Sequence, residues 1–245
     1  MRFRLSLGLS AALALGLVAL PAHAKPVAAA SAAIVESQAE EDQAMAKAFT
    51  LVAQGKAAEA EAIFSTVIAK YDRAAEPDVA YRCASGADGT LSVLLMAATD
   101  NPKQTTVALG PNWCAALFGK GYALIDLGRA SEAGPFLAKA VAMDPLNAHY
   151  LNEYAEWFKP QRQWQRSYDL FAQAWDIVSH DKKGPDRKIA ARSLRGMAFN
   201  LIELGDLKKA ERLYRQSLDY EPEAAAKVQN ELDYIADVQA KKKAN

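Results

Sequence analysis

The stretch GYALIDLGRASEAGPFLAKAVAMDP, from Gly121 to Pro145, carries small residues where two packed helices would need them. Gly128 lies between two segments of helical composition and can adopt the left-handed conformation that ends a helix. Gly121 before it and Ala133 after it have little bulk, so the two helices can approach closely. Pro145 cannot continue a helix and closes the stretch. The stretch therefore predicts a helix, a tight turn and a second helix.

The same spacing recurs along the chain. Turn positions fall at Gly55, Arg162 and Gly205 as well, and each is followed five residues later by Ala or Ser. At Arg162 the nearby Pro160 is expected to end the first helix. We expect Pro145 and Pro222 to end the second helix of their copies. The residues assigned to packing and turning within the repeats are Gly55, Ala60, Gly121, Gly128, Ala133, Pro145, Gly205, Ala210 and Pro222.

This pattern resembles the tetratricopeptide repeat, a helical hairpin of about 34 residues that stacks into arrays. The resemblance is carried best by Gly121, Gly128, Ala133, Ala140 and Pro145. It implies an all-α, right-handed superhelical solenoid in which the first helices of the units line a concave groove. No strand is expected anywhere in the chain.

The repeats divide the chain into segments. About five units are expected over residues 43–222, one of them degenerate at 77–106 with helices around 78–85 and 89–99. Residues 223–245 are predicted to form a capping helix with a basic tail, because a repeat array needs a terminal unit with one polar face. Its apolar face is expected to consist of Val228, Leu232, Ile235 and Val238.

Residues 1–24 have the composition of a secretory leader. Two arginines precede an apolar run, and Ala22-His23-Ala24 forms a small-x-small cleavage site. The run is short for a bilayer span, which needs about 20 residues, although an uncleaved anchor remains the alternative. We expect cleavage after Ala24, location in the periplasm or outside the cell, and no integral membrane segment after cleavage. Residues 25–42 are expected to be a flexible lead-in.

The chain has two cysteines, Cys83 and Cys114. In an oxidising compartment such a pair predicts a disulfide, with free buried thiols as the alternative. Both cysteines are expected on the first helices of consecutive units, where a bridge would tie the degenerate unit to the best one.

Composition and motifs argue against several functions. Basic and acidic residues balance at 29 each, so no nucleic-acid partner is expected. Neither His149 nor His180 belongs to a nucleophile–base set, and no recognisable catalytic or metal-binding motif is present. We therefore expect no catalytic residues, no metal, no cofactor and no enzymatic activity.

The resemblance implies that binding takes place in the groove of the first helices. Rings beside amide and guanidinium groups suit an extended peptide. The candidate groove residues are Phe118, Tyr122, Ile125, His149, Asn152, Glu156, Arg192, Arg195 and Phe199. The alternative is that Phe118, Tyr122 and Phe199 pack between repeats. The family's Lys/Arg and Asn clamp for a C-terminal carboxylate is not found, and Trp157, Trp164 and Trp175 are expected to be core residues.

The hypothesis from sequence is an exported scaffold or adaptor that binds a protein or peptide partner. A structural or self-assembling envelope protein, which would associate with copies of itself, is the alternative. An envelope enzyme is the third possibility. The step from fold to function rests on family analogy.

Overall fold

A computed structural model of the chain describes residues 38–244. The predicted leader, its cleavage site and most of the lead-in lie outside these residues. The helices are α1 (Gln38–Ala53), α2 (Ala57–Ala74), α3 (Gly86–Asp100), α4 (Asn112–Asp126), α5 (Ala130–Met143), α6 (Ala148–Phe158), α7 (Trp164–Val178), α8 (Arg187–Glu203), α9 (Leu207–Ser217) and α10 (Ala225–Ala244). Two short strands, β1 (Val79–Cys83) and β2 (Thr105–Leu109), flank α3.

Four helical hairpins stack in chain order: α1/α2, α4/α5, α6/α7 and α8/α9. The second helix of each hairpin packs on the first helix of the next, so that α2 contacts α4 directly although 37 residues separate them in sequence. The chain closes with α10, which packs on α9 through the buried residues Val228, Leu232 and Ile235. No helix within residues 38–244 is long and apolar enough to cross a membrane.

Each hairpin turns through one residue with a positive φ. Gly55, Gly128 and Gly205 have φ of 73°, 73° and 88°. In each turn the following backbone N–H donates five residues back, as from Arg129 to the Leu124 carbonyl at 2.8 Å, which satisfies an orphan carbonyl at the helix end. Arg162 makes the same turn with φ of 58°, so an L-residue holds a conformation that favours glycine.

Arg162→Gly is expected to stabilise the protein by about 0.5–1 kcal/mol. Relief of the left-handed strain, about 1–2 kcal/mol, exceeds the extra chain entropy that glycine loses on folding. Urea denaturation measures the difference. Gln173→Gly, at an exposed position inside α7, is the matched control and should destabilise by about 1 kcal/mol. A variant at position 162 that loses stability as the control does would contradict the strain argument.

The degenerate fifth unit expected at 77–106 is wrong, as is the expected absence of strands. Residues 78–85 do not form a helix; β1 pairs in parallel with β2, from Val79 opposite Thr105 to Cys83 opposite Leu109. α3, which includes the helix expected at 89–99, is the crossover between the two strands. The β-branched and aromatic residues of VAYRC and TTVAL favour a pleated, half-buried surface over a helix. We call residues 79–109 the β–α–β insertion.

A disulfide joins Cys83 to Cys114, with the Cα atoms 6.2 Å apart. Cys83 lies on β1 and Cys114 on α4, so the expectation that both occupy first helices of consecutive units is wrong. The bond ties the insertion to the second hairpin.

Residues 38–42 of the expected flexible lead-in, 25–42, are helical, because α1 begins at Gln38. Glu41 is buried and accepts hydrogen bonds from Lys70 Nζ at 2.6 Å and from the Tyr71 hydroxyl at 2.5 Å. Asp42 accepts a hydrogen bond from Asn112 Nδ2 at 2.7 Å. These tertiary bonds hold as helix a stretch whose composition suggests a loose tail.

The small residues lie where the helices meet. Ala60, Ala133 and Ala210 are fully buried. A Cβ added at Gly121 would lie 2.7 Å from the Leu137 side chain, so bulk at this position is excluded.

Pro145 and Pro222 were both expected to end the second helix of a hairpin, and Pro222 does not. Pro145 follows the end of α5 by two residues. Pro222 does not end α9, which stops at Ser217; it begins a 3-10 turn, Pro222–Ala224, that leads into α10. Its lack of an N–H suits that first position.

Candidate functional site

A cleft opens between the second and third hairpins, with a volume of about 540 Å³. Its walls come from α4, the start of α5, α6 and the turn after α6. The lining residues are Tyr122, Ile125, Asp126, Ala130, Ser131, Glu153, Glu156, Trp157, Pro160 and Gln161. We call this space the hairpin cleft.

Exposed apolar side chains form one wall of the hairpin cleft. Tyr122 is 38% exposed and Ile125 is 39% exposed, and both project from α4, three residues apart. Most large aromatic side chains of the described chain are buried or partly buried. An exposed apolar pair at the mouth of a cleft is therefore suited to contact a ligand.

Trp157 forms the opposite wall and is held in place. Its indole Nε1 donates to the Ala130 carbonyl at 2.7 Å. A Cβ at Gly134 would lie 2.5 Å from the Trp157 ring, so the glycine provides the space that the ring occupies. Gln161 Nε2 also donates to the Trp157 carbonyl at 2.8 Å. The cleft is therefore preformed by a hydrogen bond and a close contact between the second and third hairpins, and by a bond within the third.

Three carboxylates lie around the apolar walls. Glu153 is paired with Arg192, and Glu156 with Lys159 at 2.9 Å. Asp126 is exposed and forms no ion pair with any residue in the range 38–244. Two of the acidic charges are thus balanced within the protein, and that of Asp126 is available to a ligand.

Lys159 links this region to the last hairpin. Its Nζ lies 4.8 Å from the centroid of the Phe171 ring and 4.7 Å from that of Phe199. Burial lowers the pKa of Lys159, while the ion pair with Glu156 opposes the shift. Stacking on two rings and the ion pair keep this ammonium fixed at the edge of the groove.

The structure brings three of the predicted groove residues together. Tyr122, Ile125 and Glu156 line the hairpin cleft. Phe118 is buried and stacks on Tyr150 with ring centroids 4.7 Å apart, so it packs between repeats. The His149 ring also lies beside Phe118, with the two ring centroids 5.0 Å apart.

Asn152 is fully buried and holds α6 against α8. Its Nδ2 donates to the Ile189 carbonyl at 3.3 Å, and its Oδ1 accepts from the Ser193 hydroxyl at 2.9 Å. The side chain is used for packing between hairpins and is not available in a groove.

The predicted groove residues on α8 are largely engaged with neighbouring helices. Arg192 pairs with Glu153, and Arg195 pairs with Glu221 at 2.7 Å. Phe199 contacts Trp164 edge-to-face, with ring centroids 6.0 Å apart. Arg192 alone of these three reaches the hairpin cleft, through its bond to Glu153.

Several residues of the hairpin cleft were not predicted from the sequence. Asp126, Ala130, Ser131, Pro160 and Gln161 belong to turns and helix ends, which the repeat spacing treats as connectors. Among the tryptophans, Trp175 packs on Tyr220 and Trp164 on Phe199, whereas Trp157 is half-buried and faces the cleft. Residues 38–244 contain no group of three or more His, Cys, Asp or Glu side chains placed to hold a metal.

Comparison with known protein families identifies the same repeat. A family model described as tetratricopeptide repeat matches residues 115–145, the hairpin that contains Gly121 to Pro145. No curated protein gives a significant match to the chain.

Solved structures are similar over most of the chain. PilF of Pseudomonas aeruginosa is 12% identical with a TM-score of 0.57, over 82% of this chain and 69% of that one. A putative kinesin light chain of Podosopora anserina with TPR-like repeats is 15% identical with a TM-score of 0.54, over 86% and 99%. MamA of Desulfovibrio magneticus RS-1 is 12% identical with a TM-score of 0.53, over 83% and 88%. The predicted tetratricopeptide-repeat solenoid is confirmed, and at these identities the likeness concerns the fold alone.

Proposed function

We propose that this tetratricopeptide-repeat chain is an exported adaptor that binds an extended segment of a protein partner in the hairpin cleft. The fold is a scaffold typical of protein–protein interaction. The observation that carries the site is the preformed cleft of about 540 Å³ in which exposed Tyr122 and Ile125 face Trp157. Binding, without a chemical step, is the activity we assign.

The charges of the cleft indicate the chemistry of the ligand. Glu153 and Glu156 are balanced by Arg192 and Lys159, whereas Asp126 is not balanced. A segment with an aromatic or aliphatic side chain next to Lys or Arg would fill the apolar walls and pair with Asp126. Rigid aromatic anchors in a desolvated pocket are the usual source of affinity at such interfaces.

Export is supported by two independent features. The composition of residues 1–24 is that of a secretory leader. The Cys83–Cys114 disulfide is of the kind that persists in oxidising compartments. We therefore place the adaptor in the periplasm or outside the cell.

Site-specific photocrosslinking in cells tests the proposal. A photoreactive amino acid at Tyr122 is expected to give a discrete adduct with a second protein. The same probe at Tyr234, which is 54% exposed on α10, is the control and should give none. Adding Asp126→Lys to the Tyr122 probe chain should abolish the adduct, because it places a cation opposite the basic side chain of the ligand.

Two outcomes would contradict this function. Equal adducts from Tyr122 and Tyr234 would show contact without selectivity. Adducts that contain only another copy of this chain would favour the self-assembling alternative.

A further inference from the structure

The β–α–β insertion has a sheet edge that no other strand within residues 38–244 covers. β1 packs on α4 and α5 of the second hairpin as well as on β2, so β2 is the outer strand of the two-stranded sheet. The sheet itself is supported, because α3 contacts both strands and the residues Tyr81, Cys83 and Leu109 are buried in the core. The part of the insertion that lacks a neighbour is therefore the edge of β2.

The hydrogen bonds of the sheet show which backbone groups of β2 point outward. The Ala84 N–H donates to the Leu109 carbonyl at 2.9 Å, so the backbone of Leu109 faces β1. In a parallel pair every second residue of a strand bonds to the neighbouring strand. Val107 therefore faces β1 as well, whereas the N–H and C=O groups of Thr106 and Ala108 face away from it. No group in the described chain is hydrogen-bonded to these outward groups.

The edge lacks the features by which edge strands usually resist pairing. Natural proteins protect such edges with charged residues, with proline or with a bulge. β2 reads TTVAL and contains neither a charged residue nor a proline. Thr106 and Ala108 are partly exposed, so another strand can reach their backbone groups. The edge of β2 is therefore suited to pair with an extended chain.

Exposed leucines lie beside the same edge. Leu91 and Leu95 of α3 are 68% and 66% exposed, and they lie about one turn apart on one face of the helix. Leu91 lines a cleft together with Ala108, which places Leu91 on the β2 side of the helix. Between Asp88 and Asp100, α3 has no charged residue. A partner at this edge must therefore present an uncharged apolar surface next to its strand.

We propose that two copies of the chain associate through this edge, with β2 of one copy antiparallel to β2 of the other. Thr106 then lies opposite Ala108 of the second copy, and each outward N–H and C=O meets its complement. A two-fold axis perpendicular to the sheet relates the copies and leaves both α3 helices on the same face. A second copy fits because it supplies an uncovered strand of the same pattern and an apolar helix beside it.

The dimensions of such a sheet bring the two α3 helices into contact. Neighbouring strands are about 4.8 Å apart, so the two-fold axis lies about 2.4 Å beyond β2. α3 contacts both β1 and β2, and a position above the middle of this pair is about 4.8 Å from the axis. The two helices are then about 10 Å apart, at the upper end of the range of about 8–10 Å for packed helices. Leu91 and Leu95 of both copies fill the space between them.

Sedimentation equilibrium of the purified protein tests the association. The wild type is expected to form a dimer whose population rises with concentration. Ala108→Pro removes an outward N–H but no bond to β1, and proline is tolerated at such edge positions. It is expected to weaken the dimer about tenfold, because each copy loses a hydrogen bond to the other. Leu91→Asp/Leu95→Asp should weaken the dimer at least as much, since it places charges between the two helices. Leu204→Asp, 45% exposed and distant from the insertion in sequence, is the matched control and should leave the dimer unchanged.

An engineered cysteine measures the register of the two strands directly. Val107 lies on the two-fold axis, opposite itself in the second copy, where Cα atoms are about 4.5 Å apart and permit a disulfide. Val107→Cys is expected to give a covalent dimer joined at position 107 under mild oxidation. Thr105→Cys is the matched control and should not, because the axis separates its two copies by about 14 Å. Peptide mapping verifies that Cys83 and Cys114 remain bonded to each other in both variants.

The proposal has outcomes that would overturn it without bearing on the adaptor function. A wild type that is monomeric at every concentration measured would do so. A dimer that Ala108→Pro and Leu91→Asp/Leu95→Asp both leave unchanged would place the contact on another surface. Equal crosslinking at positions 105 and 107 would exclude the antiparallel register. The cleft beside β2 and the hairpin cleft share no lining residue, so ligand binding at Tyr122 is tested separately.

Discussion

Cys83→Ser/Cys114→Ser is expected to lower the free energy of unfolding by about 3.5–4 kcal/mol. The bond closes a loop with a sequence separation of 31 residues, and the chain-entropy model gives about 3 kcal/mol for 15 residues and about 4.7 for 100. The loop contains α3 and β2 of the β–α–β insertion. Urea denaturation of the oxidised wild type and the double variant measures the loss.

The damage should be local before it is global. On α3 only Val93 and Ala97 are buried. The sheet packs on the hairpin stack through the buried residues Tyr81, Cys83 and Leu109, so the disulfide is one of few supports of the insertion. The hairpin stack does not depend on it, because α2 packs directly on α4. We expect residues 79–109 to lose hydrogen-exchange protection while α4 to α9 keep theirs.

Wild-type protein in reductant is the control for this experiment, since it breaks the same bond without changing the sequence. It should reproduce the double variant in both measurements. A loss of less than about 1 kcal/mol in the free energy of unfolding would mean that the disulfide does not stabilise the insertion.

The parts of the fold that depend on local spacing could be predicted from the sequence. A turn glycine such as Gly128 and the small residues around it report a hairpin without knowledge of the rest of the chain. The insertion could not be predicted in this way, because strands of five residues such as β1 are too short for periodicity to separate them from a helix. The 73-residue interval between Gly55 and Gly128 indicates that an additional element lies there, but the length of an interval does not predict its secondary structure.

The candidate site was harder to predict than the fold, because whether a side chain is free to bind a ligand depends on partners distant in sequence. Arg195 is taken by Glu221, 26 residues later, and Asn152 is taken by Ser193, 41 residues later. The spacing of Trp157 predicts a core residue, whereas its ring lies at the cleft in the space beside Gly134 of the neighbouring hairpin. Repeat position identifies which helix a residue is on, whereas pairing across hairpins decides whether it can bind.

Gly119→Ala is expected to destabilise the protein by about 1–2 kcal/mol, although alanine is the better helix former. The added Cβ would lie 2.4 Å from the Phe64 ring, which is fully buried between α2 and α4 and already contacts Phe49. Overpacking of this kind costs about 1–3 kcal/mol or more and outweighs a gain of about 1 kcal/mol in helix propensity. Thermal and urea unfolding measure the net effect.

Two further variants distinguish overpacking from any other effect of alanine at this position. Gly89→Ala on α3 meets its nearest neighbour, the Ala84 Cβ, at an ordinary 3.9 Å, so it should be neutral or stabilising by up to about 1 kcal/mol. Gly119→Ala/Phe64→Leu should be more stable than the sum of the two single changes, since the smaller side chain makes room for the new methyl group. Gly196 meets the Phe171 ring at 2.5 Å between the last two hairpins, so the same cycle there is expected to give the same sign. Additive single changes at both positions would mean that these glycines do not set the spacing of the hairpins.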